Sequence, residues 1–398
     1  MNIGHLNKIQ NVFDSFVSKN EVAGVNLLIY KDDKEVAYFQ AGYKDLENKK
    51  SFERDTICRL YSMTKPITAV AALMLLENGK LDLATPIAKY IPEFSDIKVC
   101  SEGGKNGTPV KATRPILVQD LLNMTSGYTY GAYWDGAPLG EHLTSEFIQE
   151  LNKDCLKDCS LSTLDVAKRF SKIPLSFEPG TDYNYGFSAD ILAAVIEVVS
   201  GLKFSDYLFK NIFEPLNMKD TAFFVPSEKQ SRLSKVYKAT TSGLENFTYP
   251  NLGIQPFMDH APSFESGGAG LCSTVEDYMK FASMLCNGGQ LNGKRLLQKK
   301  TVEYISKARL SPSLQQKFEQ KMESFMGYSY CNLMRVAHNE GFTKAITNKG
   351  EFGWDGWLGP YMSVDLENHL AIVMLMQKTD AGTWELTRNV KNIIYTSL

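Results

Sequence analysis

A serine and a lysine three residues apart are the pair in this 398-residue chain best suited to chemistry. Ser62 and Lys65 precede a long apolar run, 67–76, that stops at Asn78-Gly79, a composition typical of a buried helix with a glycine stop. Positions i and i+3 share a helix face, so we expect the hydroxyl and the amine to point the same way. A helix N-terminus favours developing negative charge, and burial lowers the pKa of a lysine amine. The pair therefore predicts a serine nucleophile activated by a neutral lysine.

The same four-residue spacing occurs at two other places, where the neighbouring sequence argues against chemistry. Ser95 and Lys98 lie in a polar stretch with no apolar helix after it. Ser200 and Lys203 lie where the apolar run 191–199 ends at Ser-Gly, which is typical of a helix C-terminus. Only Ser62 opens a buried helix, although a serine N-cap followed by a surface lysine would give the same local pattern.

Tyr185 is the candidate partner for the proton transfer that a serine nucleophile requires. It stands in a turn-rich segment just ahead of an apolar helix that begins near Ala189, where a phenol could reach a cleft. The alternative is a tyrosine that packs over the start of that helix. Tyr249 and Tyr330 have a Tyr-x-Asn spacing, but neither leads into a long apolar helix.

The segment 353–359, Gly-Trp-Asp-Gly-Trp-Leu-Gly, is the third candidate element. Glycine within a strand permits close approach by a ligand or by another backbone segment. Such a strand edge could direct a backbone N–H at the carbonyl oxygen of a bound ester or amide. A glycine-containing edge strand with two packing tryptophans is the structural alternative.

The elements that must position these residues suggest one sheet assembled from both ends of the chain. Strand patterns cover 23–30, 35–40, 351–364 and 370–376, a polar turn covers 31–34, and helix patterns cover 6–17 and 384–394. The middle of the chain is mainly helical. This order predicts an α+β fold with a helical insertion, and we expect the active cleft between the two parts.

Composition excludes several classes of function. A net charge of -2 gives no electrostatic case for nucleic acid or an anionic membrane, and the apolar run 67–76 is too short to span a bilayer. Seven scattered cysteines without a Cys-x-x-Cys pair indicate reduced thiols, and five isolated histidines indicate no metal site. The N-terminus shows no secretory signal pattern. We therefore predict a cytoplasmic protein without metal or other cofactor, and the sequence leaves its oligomeric state open.

Together the motifs resemble the serine β-lactamase and penicillin-binding-protein superfamily, specifically its class C-like branch with the family VIII carboxylesterases. Ser62-Met63-Thr64-Lys65 resembles the Ser-x-x-Lys motif, Tyr185 with 179–181 resembles the tyrosine motif, and Trp354-Asp355-Gly356 stands where β-lactamases carry Lys-Thr-Gly and the esterases often carry Trp-Gly-Gly. Supporting stretches at 79–92, 120–127 and 266–274 also match. Residues 131–170 are the least similar and suggest a variable lid or substrate wall.

The resemblance implies a fold and a domain organisation. It implies a β-lactamase/transpeptidase-like antiparallel sheet built from both chain ends and flanked by helices, with a mainly helical inserted region. We expect one catalytic unit over 1–398, with an α/β part at about 1–90 and 300–398 and a mainly helical part at about 91–299.

The resemblance also implies the roles of the site residues. Ser62 would form an acyl-enzyme, and Lys65 and Tyr185 would share general acid/base work, which leaves open which of them is the base at rest. The backbone N–H groups of Ser62 and Trp357 would form the oxyanion hole. Phe187, Trp354, Asp355 and Gly356 would contact the substrate, a small-molecule ester or amide.

Departures from the β-lactamase pattern bear on the substrate. Lys-Ser/Thr-Gly occurs nowhere in the chain, so Trp354 replaces the cation that engages a β-lactam carboxylate, and Phe187 replaces the asparagine of Tyr-x-Asn. Asp355 is unusual where the esterases carry glycine. These changes favour cleavage of a simple ester with a small or apolar acyl group over penicillin hydrolysis.

Several alternatives stay open at the level of sequence. An acyltransferase would use the same acyl-enzyme, and β-lactamase or D-amino-acid peptidase activity is a further option. A catalytically silent penicillin-binding-like protein is the non-enzyme alternative. A Ser-His-Asp α/β-hydrolase is disfavoured because the chain lacks a Gly-x-Ser-x-Gly elbow.

Overall fold

The computed structural model describes residues 1–157 and 159–398. The strands of this part of the chain are β1 (Gly24–Lys31), β2 (Lys34–Asp45), β3 (Lys50–Ser51), β4 (Cys58–Arg59), β5 (Lys98–Val99), β6 (Val110–Lys111), β7 (Tyr237–Thr240), β8 (Gly243–Asn246), β9 (Cys272–Ser273), β10 (Gln290–Leu291), β11 (Lys294–Arg295), β12 (Tyr328–Cys331), β13 (Met334–Ala337), β14 (Phe352–Asp355), β15 (Tyr361–Asp365) and β16 (Leu370–Met376).

The α-helices of the same part are α1 (Ile3–Leu6), α2 (Lys8–Ser18), α3 (Thr64–Glu77), α4 (Val118–Leu122), α5 (Leu139–Asp154), α6 (Thr163–Phe170), α7 (Ser188–Ser200), α8 (Phe204–Leu208), α9 (Glu214–Leu216), α10 (Val275–Cys286), α11 (Lys299–Lys307), α12 (Pro312–Lys321) and α13 (Glu385–Tyr395). A short 3-10 helix, Tyr61–Met63, runs directly into α3.

One antiparallel sheet of eight strands joins the two ends of the chain. Its order is β12-β13-β14-β15-β16-β1-β2-β3, so the N-terminal strand β1 lies between its hairpin partner β2 and the late strand β16. Leu28 pairs with Val373 on one side and with Tyr38 on the other. The predicted sheet from both chain ends is confirmed.

Helices cover both faces of this sheet, which explains why its central strands are apolar at successive positions. Along β1, Val25, Leu27 and Ile29 face a core shared with α2 and α13, whereas Leu28 faces the larger core that contains α3, α7 and α10. Strand β16 alternates in the same way. The larger core therefore attaches the helical part of the molecule to one face of the sheet.

The middle of the chain is mainly helical, with the small hairpins β5–β6 and β7–β8 beside the helices. Helices α3 and α7 pack against each other, and α7 ends at Gly201 in the left-handed conformation that a glycine stop permits. The boundaries near 90 and 300 and the cytoplasmic location stay predictions. Within the ranges described above, no helix has the length and apolar character to cross a bilayer.

Candidate active site

Ser62 lies at a sharp entry into the buried helix α3. The preceding residue, Tyr61, has a φ of 45°, in the left-handed region that is costly for a bulky side chain. Ser62 itself belongs to the 3-10 turn before α3, where the first backbone N–H groups have no partner within the helix. The nucleophile candidate is thus held on a strained turn at a helix N-terminus.

Contacts from the segment 266–278 fix the start of α3. The Tyr278 hydroxyl donates to the Met63 carbonyl oxygen over 2.6 Å. The Thr64 hydroxyl accepts a hydrogen bond from the backbone N–H of Leu271, and the Thr68 hydroxyl donates to the Gly267 carbonyl oxygen. These bonds are buried, so they define the position of the turn that carries Ser62.

Lys65 is completely buried beneath Ser62, one helical turn along. Its Nζ lies 3.1 Å from Ser62 Oγ, 2.9 Å from the Tyr130 hydroxyl and 2.9 Å from the Gly268 carbonyl oxygen. Burial lowers the pKa of the Lys65 amine to about 7, against the opposing effect of the negative charges of Asp190 and Asp355. A large fraction of the amine is therefore neutral near pH 7.

Tyr185, just before the start of α7, also lies beside Ser62 and Lys65. Burial raises the pKa of its phenol well above the ordinary value, although the Ser62 hydroxyl and the Trp354 indole N–H lower it in part. Trp354 Nε1 donates to the Tyr185 oxygen over 2.8 Å, and the Lys65 amine lies 4.6 Å from the centre of the Tyr185 ring. Tyr185 is consequently a protonated phenol held beside the serine.

Tyr130 is a site residue that no sequence pattern singles out. It is the second tyrosine in contact with the Lys65 amine, and burial raises the pKa of its phenol well above the ordinary value. It belongs to a loop between α4 and α5, without helix or strand periodicity, and its contact with Lys65 spans 65 positions of the chain. The only indication of its role in the neighbouring sequence is that it closely follows the stretch 120–127, which resembles the family.

Asp190 lies behind Lys65 and is almost completely buried. Burial raises the pKa of its carboxyl, while the Lys65 charge and a hydrogen bond from Ser266 lower it in part. The Ser266 hydroxyl donates to Asp190 Oδ1 over 2.5 Å, and the Gly268 N–H donates to the same oxygen. Asp190 thus ties the loop at 266–268 to α7 beneath the site.

The third motif is positioned by a close approach of two backbones. Gly356 follows β14, and a Cβ atom placed on it would lie 2.2 Å from the Leu60 carbonyl oxygen. The Thr383 hydroxyl donates to the carboxylate of Asp355, whose pKa is raised by burial. In the described ranges the backbone N–H of Trp357 donates no hydrogen bond, which leaves it available to a ligand.

The structure does not place Phe187 on the cleft. Its backbone caps the start of α7, and its ring packs 4.9 Å from that of Tyr130 and 4.6 Å from that of Phe170. It is 1% exposed. The residue two positions after Tyr185 therefore turns inward and supports the phenols from behind instead of facing a substrate.

Ser62 opens onto a cleft of about 730 Å³. Its wall combines predicted residues with aromatic and apolar ones from other segments: Tyr61, Tyr130, Tyr133, Ile148, Tyr185, Leu252, Met322, Phe325, Trp354, Asp355, Gly356 and Trp357. Tyr133 and Ile148 come from the region 131–170, for which the sequence suggests a lid or a substrate wall. Among the described residues, no three or more His, Cys, Asp or Glu side chains are grouped so that they could hold a metal ion.

Comparison with known proteins identifies the family of this chain. The Beta-lactamase family model matches residues 9–391. Esterase EstB of Burkholderia gladioli is 26% identical over 294 residues, which cover 69% of this chain and 68% of EstB. The resemblance that the motifs suggested is therefore confirmed across the chain.

Solved structures share the fold at low sequence identity. EstCE1, described as a hydrolase with promiscuous acyltransferase activity, has a TM-score of 0.80 and 22% identity, with 98% of this chain and 99% of EstCE1 covered. Simvastatin synthase LovD from Aspergillus terreus has a TM-score of 0.79 and 21% identity, with 98% of each chain covered. With its β-lactamase/transpeptidase-like sheet and the family match over nearly its whole length, this protein belongs to the Beta-lactamase family.

Proposed function

We propose that this protein is a serine hydrolase that cleaves carboxylic esters through an acyl-enzyme on Ser62. The observation that carries the proposal is the buried Lys65 amine, 3.1 Å from the Ser62 hydroxyl and with a pKa of about 7. A large fraction of such an amine is neutral near pH 7, and it lies near enough to accept the serine proton. EstB and EstCE1, which this chain resembles, are named as an esterase and a hydrolase.

The proposed reaction assigns the proton transfers to two residues. Lys65 takes the hydroxyl proton as Ser62 Oγ attacks the ester carbonyl carbon. Tyr185, a protonated phenol at rest, gives its proton to the departing alkoxide and is reprotonated from Lys65. Water then attacks the acyl-enzyme, loses a proton to the same pair, and releases the carboxylic acid with Ser62 restored.

The negative charge on the tetrahedral oxygen requires two aligned donors. We assign these to the backbone N–H groups of Ser62 and Trp357. The first lies in the opening turn of a helix, and the second donates to nothing else in the described ranges. Both residues line the cleft.

The lining of the cleft supports an uncharged, apolar acyl group. Trp354 occupies the place of the β-lactamase cation, and its N–H is already engaged by Tyr185. Tyr61, Phe325 and Trp357 add aromatic surface. We therefore expect nitrophenyl esters of short or medium acyl chains to react faster than a chromogenic cephalosporin.

A labelling experiment tests the nucleophile. We expect a fluorophosphonate to modify Ser62 in the wild-type protein, and Lys65→Ala and Tyr185→Phe to lose esterase activity by about 100-fold or more. Ser95→Ala is the matched control, because Ser95 and Lys98 have the same spacing outside the site. An unlabelled protein would favour the catalytically silent alternative, and a labelled protein that prefers cephalosporins or D-alanyl peptides would favour β-lactamase or D-amino-acid peptidase activity.

Acyl transfer is the second candidate function. The aromatic cleft of about 730 Å³ offers room for an alcohol beside the acyl group. The structural neighbours include a hydrolase with promiscuous acyltransferase activity and a synthase. Product analysis with an added alcohol separates the two functions, since hydrolysis yields only the acid whereas transfer yields a new ester.

A further inference from the structure

A second nucleophilic cluster lies outside the cleft, at the end of α5. Cys159 Sγ lies 3.2 Å from His260 Nε2, and His260 Nδ1 lies 2.7 Å from Asp259 Oδ1. The imidazole and the Asp259 carboxylate are about half exposed, with relative side-chain areas of 49% and 56%. A thiol, an imidazole and a carboxylate therefore stand in line within reach of solvent.

The backbone around His260 is well anchored. The Gln255 side chain, 4% exposed, donates to the His260 carbonyl oxygen over 2.7 Å. The loop carrying both residues is tied to α5, because the Gly253 N–H donates to Asn152 Oδ1 over 2.8 Å. The imidazole is thus presented to Cys159 from an attached loop.

The order of the three groups fixes their proton positions. An aspartate that accepts from Nδ1–H selects the tautomer in which Nε2 carries a lone pair. That lone pair faces the Cys159 sulfur, so the thiol proton can pass to the imidazole and leave a thiolate beside an imidazolium. The thiolate is the form that attacks electrophiles.

The other six cysteines have a different environment. Each is buried, whereas Cys159 is partly exposed. Burial, together with the charges of Cys159 and Asp154, raises the pKa of the Cys155 thiol to about 12, although Cys155 is only four positions away. The chain thus provides an inert thiol beside the candidate reactive one.

We propose that Cys159 is a reactive thiol, activated by His260 and Asp259, that hydroperoxides oxidise to a sulfenic acid. The thiolate sulfur attacks the outer peroxide oxygen, so an S–O bond forms as the O–O bond breaks. The sulfur loses two electrons, the hydroperoxide gains them, and the alkoxide leaves with the proton from the imidazolium. Because this cluster shares no residue with the Ser62 site, the proposal stands apart from the proposed function.

The pH dependence of alkylation distinguishes activation of the Cys159 thiol by His260 from simple solvent exposure of that thiol. We expect iodoacetamide to alkylate Cys159 in the full-length protein about fivefold faster at pH 7 than in His260→Ala, because an unassisted thiol is only a few per cent thiolate there. The two rates converge near pH 10, where either thiol is ionised. Peptide mapping assigns the adduct, with Cys155 as the internal control. Identical pH profiles in both proteins would overturn the proposal.

A second variant and an oxidant complete the test. Asp259→Asn keeps the loop length and side-chain size, so a smaller slowing at pH 7 is expected, and it replaces His260→Ala if that variant fails to fold by circular dichroism. With hydrogen peroxide and dimedone, we expect the sulfenic acid adduct on Cys159 to form more slowly in either variant. An adduct that forms at an equal rate in the wild type and both variants, or at another cysteine, would refute the activated thiol.

Discussion

Lys65 has three polar neighbours, but a neutral amine has only two N–H groups and one lone pair. The Gly268 carbonyl oxygen can only accept, so one N–H is committed there. The remaining N–H and the lone pair face the hydroxyls of Tyr130 and Ser62. When the Tyr130 oxygen accepts the N–H, the lone pair of the amine faces the hydroxyl proton of Ser62. In that arrangement the amine is oriented as a base toward Ser62.

The pH dependence of ester cleavage tests this protonation state. Lys65 must be neutral to act as a base, so kcat/KM is expected to rise through pH 7 and to fall as the amine protonates below it. In Asp355→Asn the rise moves to lower pH, because a negative charge that stabilises the protonated amine is removed. A shift to higher pH, measured from initial rates between pH 5 and 9, would contradict this assignment.

The indole N–H of Trp354 is expected to hold the Tyr185 phenol in place. Trp354→Phe keeps an aromatic ring but removes the 2.8 Å hydrogen bond, which is worth about 1 kcal/mol, so kcat is predicted to fall by about fivefold. Trp384→Phe is the matched control, since the Trp384 N–H has no hydrogen-bond partner among the described residues. Equal activity of the two variants in steady-state kinetics would argue against a role for the Trp354 N–H.

Contacts between residues that are close together in the chain were predictable from the sequence. Ser62 and Lys65 meet because one helical turn joins them, which a spacing of three residues predicts. Tyr130 reaches Lys65 from a loop, and no local pattern encodes that contact. Phe187 was expected on the cleft because it follows Tyr185, but the chain turns into α7 there and carries the ring to the interior.

At the scale of elements, the site depends on the contact between the end of β14 and the turn before α3. Gly356 and Leu60 approach so closely that a methyl group on Gly356 would meet the Leu60 carbonyl oxygen at 2.2 Å. Two backbone segments have little freedom to relieve such a clash. The absence of a side chain at Gly356 therefore allows the turn that carries Ser62 to lie close to the end of β14.

Gly356→Ala is predicted to separate these elements. A displacement of about 1 Å between the nucleophile and the oxyanion donors costs about 100-fold in kcat/KM, and a lower melting temperature is expected with it. Gly341→Ala is the control, because the nearest atom to its added Cβ lies 3.8 Å away. Kinetics and thermal melts on both variants measure the effect, and full activity in Gly356→Ala would show that the turn can move without loss.

Long apolar strands were predictable, whereas short ones were not. The run that became β16 is apolar along its length, and β1 is mainly apolar apart from Asn26 and Lys31, because helices cover both faces of the sheet. The four-residue strands β12 and β13 were not predicted, since they are short and buried on both faces and so show no alternation. The range 351–364, expected as one strand region, contains two strands, β14 and β15, separated by residues 356–360.

At the scale of the whole molecule, a buried charge cluster joins the sheet to the C-terminal helix α13. Glu351 is fully buried and binds Arg335 of β13 over 3.0 Å and Lys391 of α13 over 2.9 Å. Burial alone raises the pKa of Glu351, but the charges of Lys391 and Arg335 and the Ser363 hydroxyl lower it to about 2. The carboxylate is therefore charged at neutral pH and depends on both cations.

Loss of one cation is expected to destabilise the fold. Lys391→Met leaves Glu351 with a single cationic partner, Arg335, and is predicted to lower the free energy of unfolding by about 3 kcal/mol. Lys300→Met is the matched control, because its partner Glu303 lies at the surface, where solvent screens the pair and its loss costs little stability. Urea unfolding followed by circular dichroism gives both values, and an equal midpoint for the two variants would contradict the role of the cluster.

The two outer strands of the sheet have a consequence for how the protein behaves at high concentration. An exposed strand edge offers unpaired N–H and C=O groups to a neighbouring molecule and so promotes aggregation. Here β3 is only two residues long and carries Lys50, while β12 is buried and its Tyr328 carbonyl oxygen already accepts a hydrogen bond from Gln315 of α12. On β12 this bond occupies one edge acceptor, whereas β3 pairs only with Tyr43 and Asp45 of β2. The rest of the outer edge of β2 therefore relies on charged residues such as Lys34 and Glu35 to discourage edge-to-edge self-association.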